Sequence, residues 1–519
     1  MSPNFTAGLV ARSLLILLFC VVFVVAVFIA GASLHDPDTC WLMALGRLIV
    51  ETGKLPAQDP FSFTMGMFPE KKFVLYQWLT EVFFFLSYKA GGLVGLLMLT
   101  AFVLTASFIS IPLALARKIG APGVFAVVGT ILLVLSAFFH FLARPEIFSY
   151  LLLSIYVSCS HFFLRNRELT KIDWIAVVVF GGAMALWCNL HSGFALGLIF
   201  LTVFTLITSA STFYKDRQLS ALNKTAIAST IAAFGATLLN PYGVGLWEYL
   251  PKLFFSPVNH RIDELQPLKL ADFFEVTYYP FFILSALCIW AAVRALRAKV
   301  EIAQGPRGQI LFAAALIIGW SIAGFFCRRL IPFAAIQIMA EGCFLFSLFK
   351  TEGAGFWNSV NERLDRAYSP SGFMWFLTIA VFSGLGVYFV TSRIAPPTLP
   401  QSSQSVQPPF KAIDYLKKNP VEGNLFNGPH FGDAMIWHMQ PAPKVFIDTR
   451  FDMYGGEIVN AYEVAYNCRE KWEEVLQLYK IQNVFLKPDS QLVKRLRTSS
   501  EWKVVYEDKD AAVLTKVGR

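Results

Sequence analysis

Two carboxylates one residue apart, Asp36 and Asp38, follow directly on the first long apolar run, with His35 before them and Pro37 between. Pro37 forbids a continuous regular helix through the pair and stiffens the turn. A carboxylate held where lipid meets water can take the proton of an incoming hydroxyl or amine. Together, Asp36 and Asp38 can also hold a divalent cation, Mg2+ or Mn2+, against a phosphate leaving group. The plainer alternative is that they cap and solvate a helix start, as an isolated Asp-x-Asp more often does.

Guanidinium groups recur in a similar setting. Arg144 precedes Pro145 and Glu146 at the end of one apolar run, and Arg328 and Arg329 stand side by side at the end of another. Arginine grips phosphate by forked, charge-assisted hydrogen bonds; equally, its stem can lie in lipid while its head reaches water. Adjacent helical residues point about 100° apart, so Arg328 and Arg329 can serve different faces.

Further polar candidates are Asn189 and His191, at a break between two apolar runs, and His260 with Arg261 in the segment that follows Asn240-Pro241-Tyr242-Gly243. His191 could orient an acceptor, shuttle a proton or ligate a metal, although a lone histidine is more often a hydrogen-bonded part of the scaffold. His260 and Arg261 either line a cavity mouth or solvate a loop. Near the C-terminus, Asp448 and Arg450 follow an expected strand, where polar residues are well placed to touch an acceptor. The same spacing can build a tight turn with an internal ion pair.

Composition decides what kind of chain must position these groups. Of its 519 residues, 56% are hydrophobic and 15% charged, with a mean hydropathy of +0.55. Soluble domains carry roughly a quarter of charged residues. A bilayer absorbs the excess apolar surface, and the backbone within it must then be helical. The net charge of +9 reads as a cytoplasmic excess of Lys and Arg, not as a nucleic-acid surface. The eight cysteines show no CxxC or other metal-ligand spacing and read as small buried hydrophobes. No glycine-rich phosphate loop or dinucleotide fingerprint stands in a suitable context, which argues against a nucleotide-driven pump.

At about 20 apolar residues per crossing, roughly eleven spans are expected. They cover 12–34, 93–116, 121–141, 146–164, 172–190, 193–213, 224–240, 279–297, 309–327, 330–349 and 373–392. The first is too long for a signal-peptide core and reads as an uncleaved anchor. With the N-terminus and Arg12 in the cytoplasm, the basic connections fall inside, among them Arg117/Lys118, Lys215/Arg217/Lys224 and Arg294/Arg297. Residues 35–90 and 241–278, every candidate above and the C-terminal part then fall outside. Ionisable groups at membrane depth are expensive, so their gathering on one side suggests a site.

Within 35–90, apolar residues Trp41, Leu42, Leu45, Leu48 and Ile49 recur at helical spacing, with Gly53 as the stop. An amphipathic stretch over about 77–90 suits the interface. The Pro- and Gln/Ser-rich 394–410 reads as a linker between a membrane domain, 1–393, and a small extracytoplasmic α/β domain, 411–519. There, strands are expected at 424–427, 444–448, 483–487, 503–507 and 511–515, with helices at 432–438, 457–479 and 490–498.

The run HDPDTCWLMALGRLIVETGKLPAQDPFSFT, followed by YQWLTEVFFFLSYKAGG, resembles the first outer loop of GT-C membrane glycosyltransferases, in particular bacterial proteins similar to protein O-mannosyltransferases and lipid-A aminoarabinose transferases. The segments RPEIFSYLL, LWCNLHSGFALG and LNPYGVGLWEYL are similar too, and the resemblance covers most of 12–350. It implies a GT-C-like bundle in a bacterial inner (plasma) membrane, and a catalytic aspartate just after the first span, at Asp36 or Asp38. It further implies inverting transfer of a sugar from a polyprenyl-phosphate donor to a protein, lipid or glycan, with membrane lipids as the surroundings. Arg144, Arg328 and Arg329 would hold the donor phosphate. Many relatives carry adjacent Asp-Glu where this chain has Asp-Pro-Asp, which leaves open which carboxylate is the base and whether a metal is used. The rival classes are a transporter or lipid flippase, which requires polar groups at mid-span, and a non-catalytic envelope-assembly protein on the same scaffold. One-sidedness has a direct check: single cysteines at 36 and at 328, in a background without reactive thiols, should both react with a membrane-impermeant reagent from outside intact cells. Labelling from opposite sides would sink the topology.

Overall fold

The computed structural model describes residues 3–32, 34, 36–164, 169–297, 307–349, 356–367, 384, 386–388, 391, 409–439 and 443–517. The chain groups into two compact units, each drawn from three stretches.

The first unit takes in 1–30, 97–243 and 263–396, and its described residues are mainly helical. Among the described residues, seven helices are long and apolar enough to cross a bilayer: Trp78–Ile119, Gly123–His140, Glu146–Phe163, Phe194–Tyr214, Val276–Arg297, Gly308–Phe326 and Arg328–Ser347. Thr6–Val22 and Trp174–Leu190 are shorter apolar helices. The span expected at 224–240 is instead helix Ala221–Ala236, 16 residues long, about 24 Å against the roughly 30 Å of hydrocarbon. The span expected at 373–392 lies largely outside the described residues. Some polar groups among these helices are paired within the bundle, as a medium without water favours. Trp187 Nε1 donates to Ser149 Oγ at 2.7 Å, and Tyr156 Oη donates to the Phe180 carbonyl at 2.5 Å. Within the Arg328–Ser347 span, Glu341 is fully buried, bonded by Gln337 Nε2 at 3.0 Å, with His161 Nε2 3.7 Å away.

The second unit takes in 31–96, 244–262 and 397–519. Helix Asp38–Thr52 stops at Gly53, whose φ of 65° is the left-handed turn that glycine adopts readily, its N–H bonding the Ile49 carbonyl. A second break falls at Gly91 and Gly92 (φ 59° at Gly92), between the amphipathic 78–90 stretch and the apolar run beyond.

A four-stranded sheet is ordered β1-β2-β4-β3, with β1 (Asn424–Asn427), β2 (Ile481–Leu486), β3 (Trp502–Glu507) and β4 (Ala512–Lys516). β1 and β2 are parallel, joined by a crossover that carries helices Pro429–His438, Phe451–Tyr466 and Trp472–Leu478; β4 is antiparallel to both its neighbours. The strand expected at 444–448 is only a parallel bridge, Val445 to Ser62. Its backbone is satisfied by Phe61 and Phe63 of the first loop rather than by the sheet. The helix expected over 457–479 is two helices, separated by Cys468 (φ 47°) and Lys471 (φ 69°). Met65 and Val258 join Phe426, Phe446, Ile447, Tyr454 and Val484 in one buried cluster, so all three stretches share a core.

Helices Asp38–Thr52 and Trp78–Thr105 meet at Gly46, where a Cβ would lie 2.0 Å from the Glu81 carbonyl oxygen. Backbone cannot give way cheaply, and overpacking costs about 1–3 kcal/mol. Gly46→Ala should therefore lower the thermal midpoint of the purified protein clearly more than Gly66→Ala, where nothing lies within 4 Å; equal midpoints would rule this crossing out.

Candidate active site

In the second unit, Asp36 is buried and Asp38 half-buried. Asp36 Oδ1 accepts the Asp38 N–H at 2.8 Å, so Asp36 satisfies a donor at the helix start. Asp38 lies in the first turn of its helix, where the helix dipole favours an anion. Its Oδ1 receives Trp41 Nε1 at 3.2 Å and Thr449 Oγ1 at 2.5 Å. Thr449 Oγ1 is also 3.0 Å from Asp433 Oδ1, which accepts the Thr449 N–H at 3.2 Å. Burial first, and the carboxylates of Asp448 and Asp38 second, hold the Asp433 carboxyl well above the usual range.

The turn that presents Thr449 is built by charge. Asp448 Oδ1 accepts the Arg450 N–H (3.0 Å) and Nε (2.8 Å), an Asx-type closure, while Oδ2 accepts Arg450 Nη2 (2.6 Å) and Tyr454 Oη (2.7 Å). Arg450 Nη1 reaches Asp59 Oδ1 at 2.7 Å, and Asp59 Oδ2 takes both the N–H and Oγ of Ser62. Asp448 and Arg450, expected to touch an acceptor, are thus occupied with one another and with Asp59. Arg261 is similarly engaged, with Glu463 at 2.7 Å and Asn460 at 2.6 Å, and His260 is exposed.

In the first unit every candidate arginine stands on a carboxylate. Arg144 Nη1 bonds both oxygens of Glu264, at 3.1 and 2.9 Å. Arg328 bridges Asp263 (2.9 Å) and Asp272 (2.7 Å) and so ties the 263–272 loop to the start of helix Ile331–Ser347. Arg329 pairs with Glu146, whose other oxygen takes Tyr150 Oη at 3.1 Å. A phosphate arriving here would exchange one anion for another instead of meeting bare cations. His191 Nδ1 accepts the Gly193 N–H at 3.1 Å and faces Ser149 Oγ at 2.8 Å, so its neutral tautomer carries hydrogen on Nε2; burial lowers the imidazole to about 3. Asn189 Nδ2 spans the carbonyls of Ala185 (2.8 Å) and Leu239 (2.9 Å), a scaffold role.

His35 lies outside the described residues. The residues that sequence alone did not single out are Asp433, Thr449 and Asp59. A lone aspartate in FGDAMIWH was the available signal for the first. Among the described residues no group of three or more His, Cys, Asp or Glu could hold a metal ion, and Asp36 Oδ1 is already committed to backbone.

No family model matches the chain, and no curated protein matches it. Solved structures do. The Archaeoglobus fulgidus oligosaccharyltransferase, tethered with an acceptor peptide containing the NVT sequon, aligns with a TM-score of 0.50 and 11% identity over 90% of this chain and 68% of that one. The same organism's oligosaccharyltransferase AglB, in complex with an inhibitory peptide and a dolichol-phosphate, gives 0.57 and 13% over 90% and 69%. Apo ArnT from Cupriavidus metallidurans gives 0.50 and 14% over 98% of both chains. Both kinds are GT-C glycosyltransferases, and at these identities the likeness establishes a shared fold.

Removing one member of a buried ion group strands the others, at a cost of about 3–5 kcal/mol. Arg450→Met should therefore destabilise the protein by that order in thermal unfolding. Adding Asp59→Asn and Asp448→Asn to it should recover part of the loss; no recovery would mean that the charges are not the cause.

Proposed function

We propose that this chain is a membrane glycosyltransferase that moves a sugar from a polyprenyl-phosphate carrier to a nucleophile on the extracytoplasmic side of a bacterial inner membrane. The observation that carries the reading is Asp38: an ionisable carboxyl held in one orientation at the start of the helix after the first apolar run, in a chain with the GT-C fold. Fold alone does not imply activity; the oriented carboxylate supplies the chemistry. Two solved structures of the same fold support the substrate class, since one holds dolichol-phosphate and another an acceptor peptide.

In the reaction, Asp38 takes the proton of the acceptor hydroxyl or amine as that atom bonds to the anomeric carbon. The bond from that carbon to the phosphate oxygen breaks, and its electron pair leaves with the polyprenyl phosphate. A single displacement of this kind inverts the anomeric centre. Asp36 holds the turn. Arg144 and Arg329 receive the phosphate charge, releasing Glu264 and Glu146 as they do so, and Arg328 braces the loop beside them. No step is routed through a cation. The sugar's acceptor is a protein, lipid or glycan.

One observation favours a second reading, movement of the lipid carrier: the buried Glu341 and its Gln337 partner lie within a span, where transporters place polar groups.

The test uses purified full-length chain and polyprenyl-phosphate-linked sugars, with released polyprenyl phosphate and glycosylated acceptor as readouts. Asp38→Ala should cut turnover by about 10²–10⁴-fold, and Arg144→Ala should chiefly raise the KM for donor. Full transfer by both Asp36→Ala and Asp38→Ala would remove the proposed chemistry. Loss of carrier movement in Glu341→Gln, with no transfer in any variant, would establish the second reading instead.

A further inference from the structure

Thr449 has one hydroxyl proton, yet its Oγ1 lies 2.5 Å from Asp38 Oδ1 and 3.0 Å from Asp433 Oδ1. A hydroxyl donates once. The Thr449 N–H also holds Asp433 Oδ1 beside this hydroxyl, at 3.2 Å. With both acids ionised, the carboxylate oxygen that does not receive the proton faces the Oγ1 lone pairs, a repulsion relieved when Asp38 or Asp433 is a neutral acid.

The surroundings decide which. Asp433 is 1% exposed, and its Oδ2 has no hydrogen-bond partner. The titratable groups around it are the Asp448 and Asp38 carboxylates, the Cys40 thiol and His430. His430 Nδ1 stands 3.9 Å from Oδ2, beyond hydrogen-bond reach, and its side chain is 46% exposed to solvent. Arg450, the cation of the neighbouring turn, is committed to Asp448 and Asp59. A buried carboxylate with no cation bonded to it and two anions nearby is the arrangement that burial penalises most. Asp38, by contrast, is half-buried, lies in the first turn of a helix and receives an indole N–H.

We propose that Asp433 is a standing neutral carboxylic acid that donates to Thr449, obliging Thr449 to donate to Asp38, so that Thr449 and Asp433 are positioning residues for the base. This rests on the reading of Asp38 as the base. The chain of donors runs one way, Asp433 to Thr449 to Asp38, and it sets the plane of the Asp38 carboxylate before any acceptor arrives. The device has a physical logic. A second carboxylate at this place would repel the first; a neutral acid orients it without adding charge. It also explains why the 448–450 turn is so heavily pinned, since a shift of Thr449 would break both bonds at once.

The experiment has two arms on the purified full-length chain. Infrared difference spectra at neutral pH between the native protein and Asp433→Asn should show the loss of one protonated-carboxyl C=O band. This arm needs no activity. In the transfer assay, Thr449→Val, which keeps the shape and deletes the hydroxyl, should lower kcat on the order of 10²-fold with the KM for donor unchanged, and Thr449→Ser should restore it. Absence of the band overturns the neutral acid. A band together with native kcat in Thr449→Val overturns the positioning role. Full transfer by Asp38→Ala, with the band present, fells the base assignment and the positioning role with it, yet leaves the buried acid standing, so the two failures are told apart.

Discussion

A guanidinium taken out of water must be neutralised where it stands, and Arg450 is the point from which the second unit is organised. Its guanidinium gives three hydrogen bonds, two to Asp448, two residues away, and one to Asp59, which is almost four hundred residues earlier in the chain. Neither carboxylate could be buried without it. Because Arg450 and Asp448 also close a tight turn, the charge balance fixes backbone as well as side chains, and Thr449, between them, has one direction left to face. The ion group is thus both a clasp between distant stretches and the mount for the hydroxyl that reaches Asp38. A buried group of this kind is weak evidence for stability as such; its use here is to specify one arrangement.

The first unit meets the same constraint differently. Arg144, Arg328 and Arg329 each lie at the end of a helix or apolar run, and each is matched by acidic residues from 263–272 or by Glu146. Pairing keeps the cost of partial burial down while leaving exchange open, because a phosphate offers more charge and more acceptor oxygens than one carboxylate. Arg328, held by two aspartates with its side chain 11% exposed, is the brace. Arg144 and Arg329, with simpler partners, are the groups that can trade them.

Much of the helical scaffold follows from local physics that a single chain carries in plain view. Long apolar runs become membrane-length helices at 123–140, 146–163, 276–297, 308–326 and 328–347 because backbone in hydrocarbon has no other way to satisfy itself. Gly53 ends its helix, and Gly92 breaks another, because glycine adopts such positive φ angles cheaply. Helix Ala221–Ala236 is too short for the span its composition suggested, since a turn through Thr237 and Asn240 claims the backbone groups beyond it.

What the sequence determined by itself was therefore chemistry of short range: a helical, bilayer-suited chain, a carboxylate pair at a helix start, and the glycines that punctuate it. What tertiary structure decided was the pairing of charges. Nothing in Ala57-Gln58-Asp59 announces a partner for Arg450, and nothing in Phe431-Gly432-Asp433 announces a neighbour for Asp38. Residues 444–448 have the short apolar run of a strand but pair with the first loop, because Phe61 and Phe63 present the backbone groups that the sheet does not. Periodicity and capping act over a few residues and can be read along the chain. The neutralisation of buried charge acts through space, between groups that only the folded chain brings within reach.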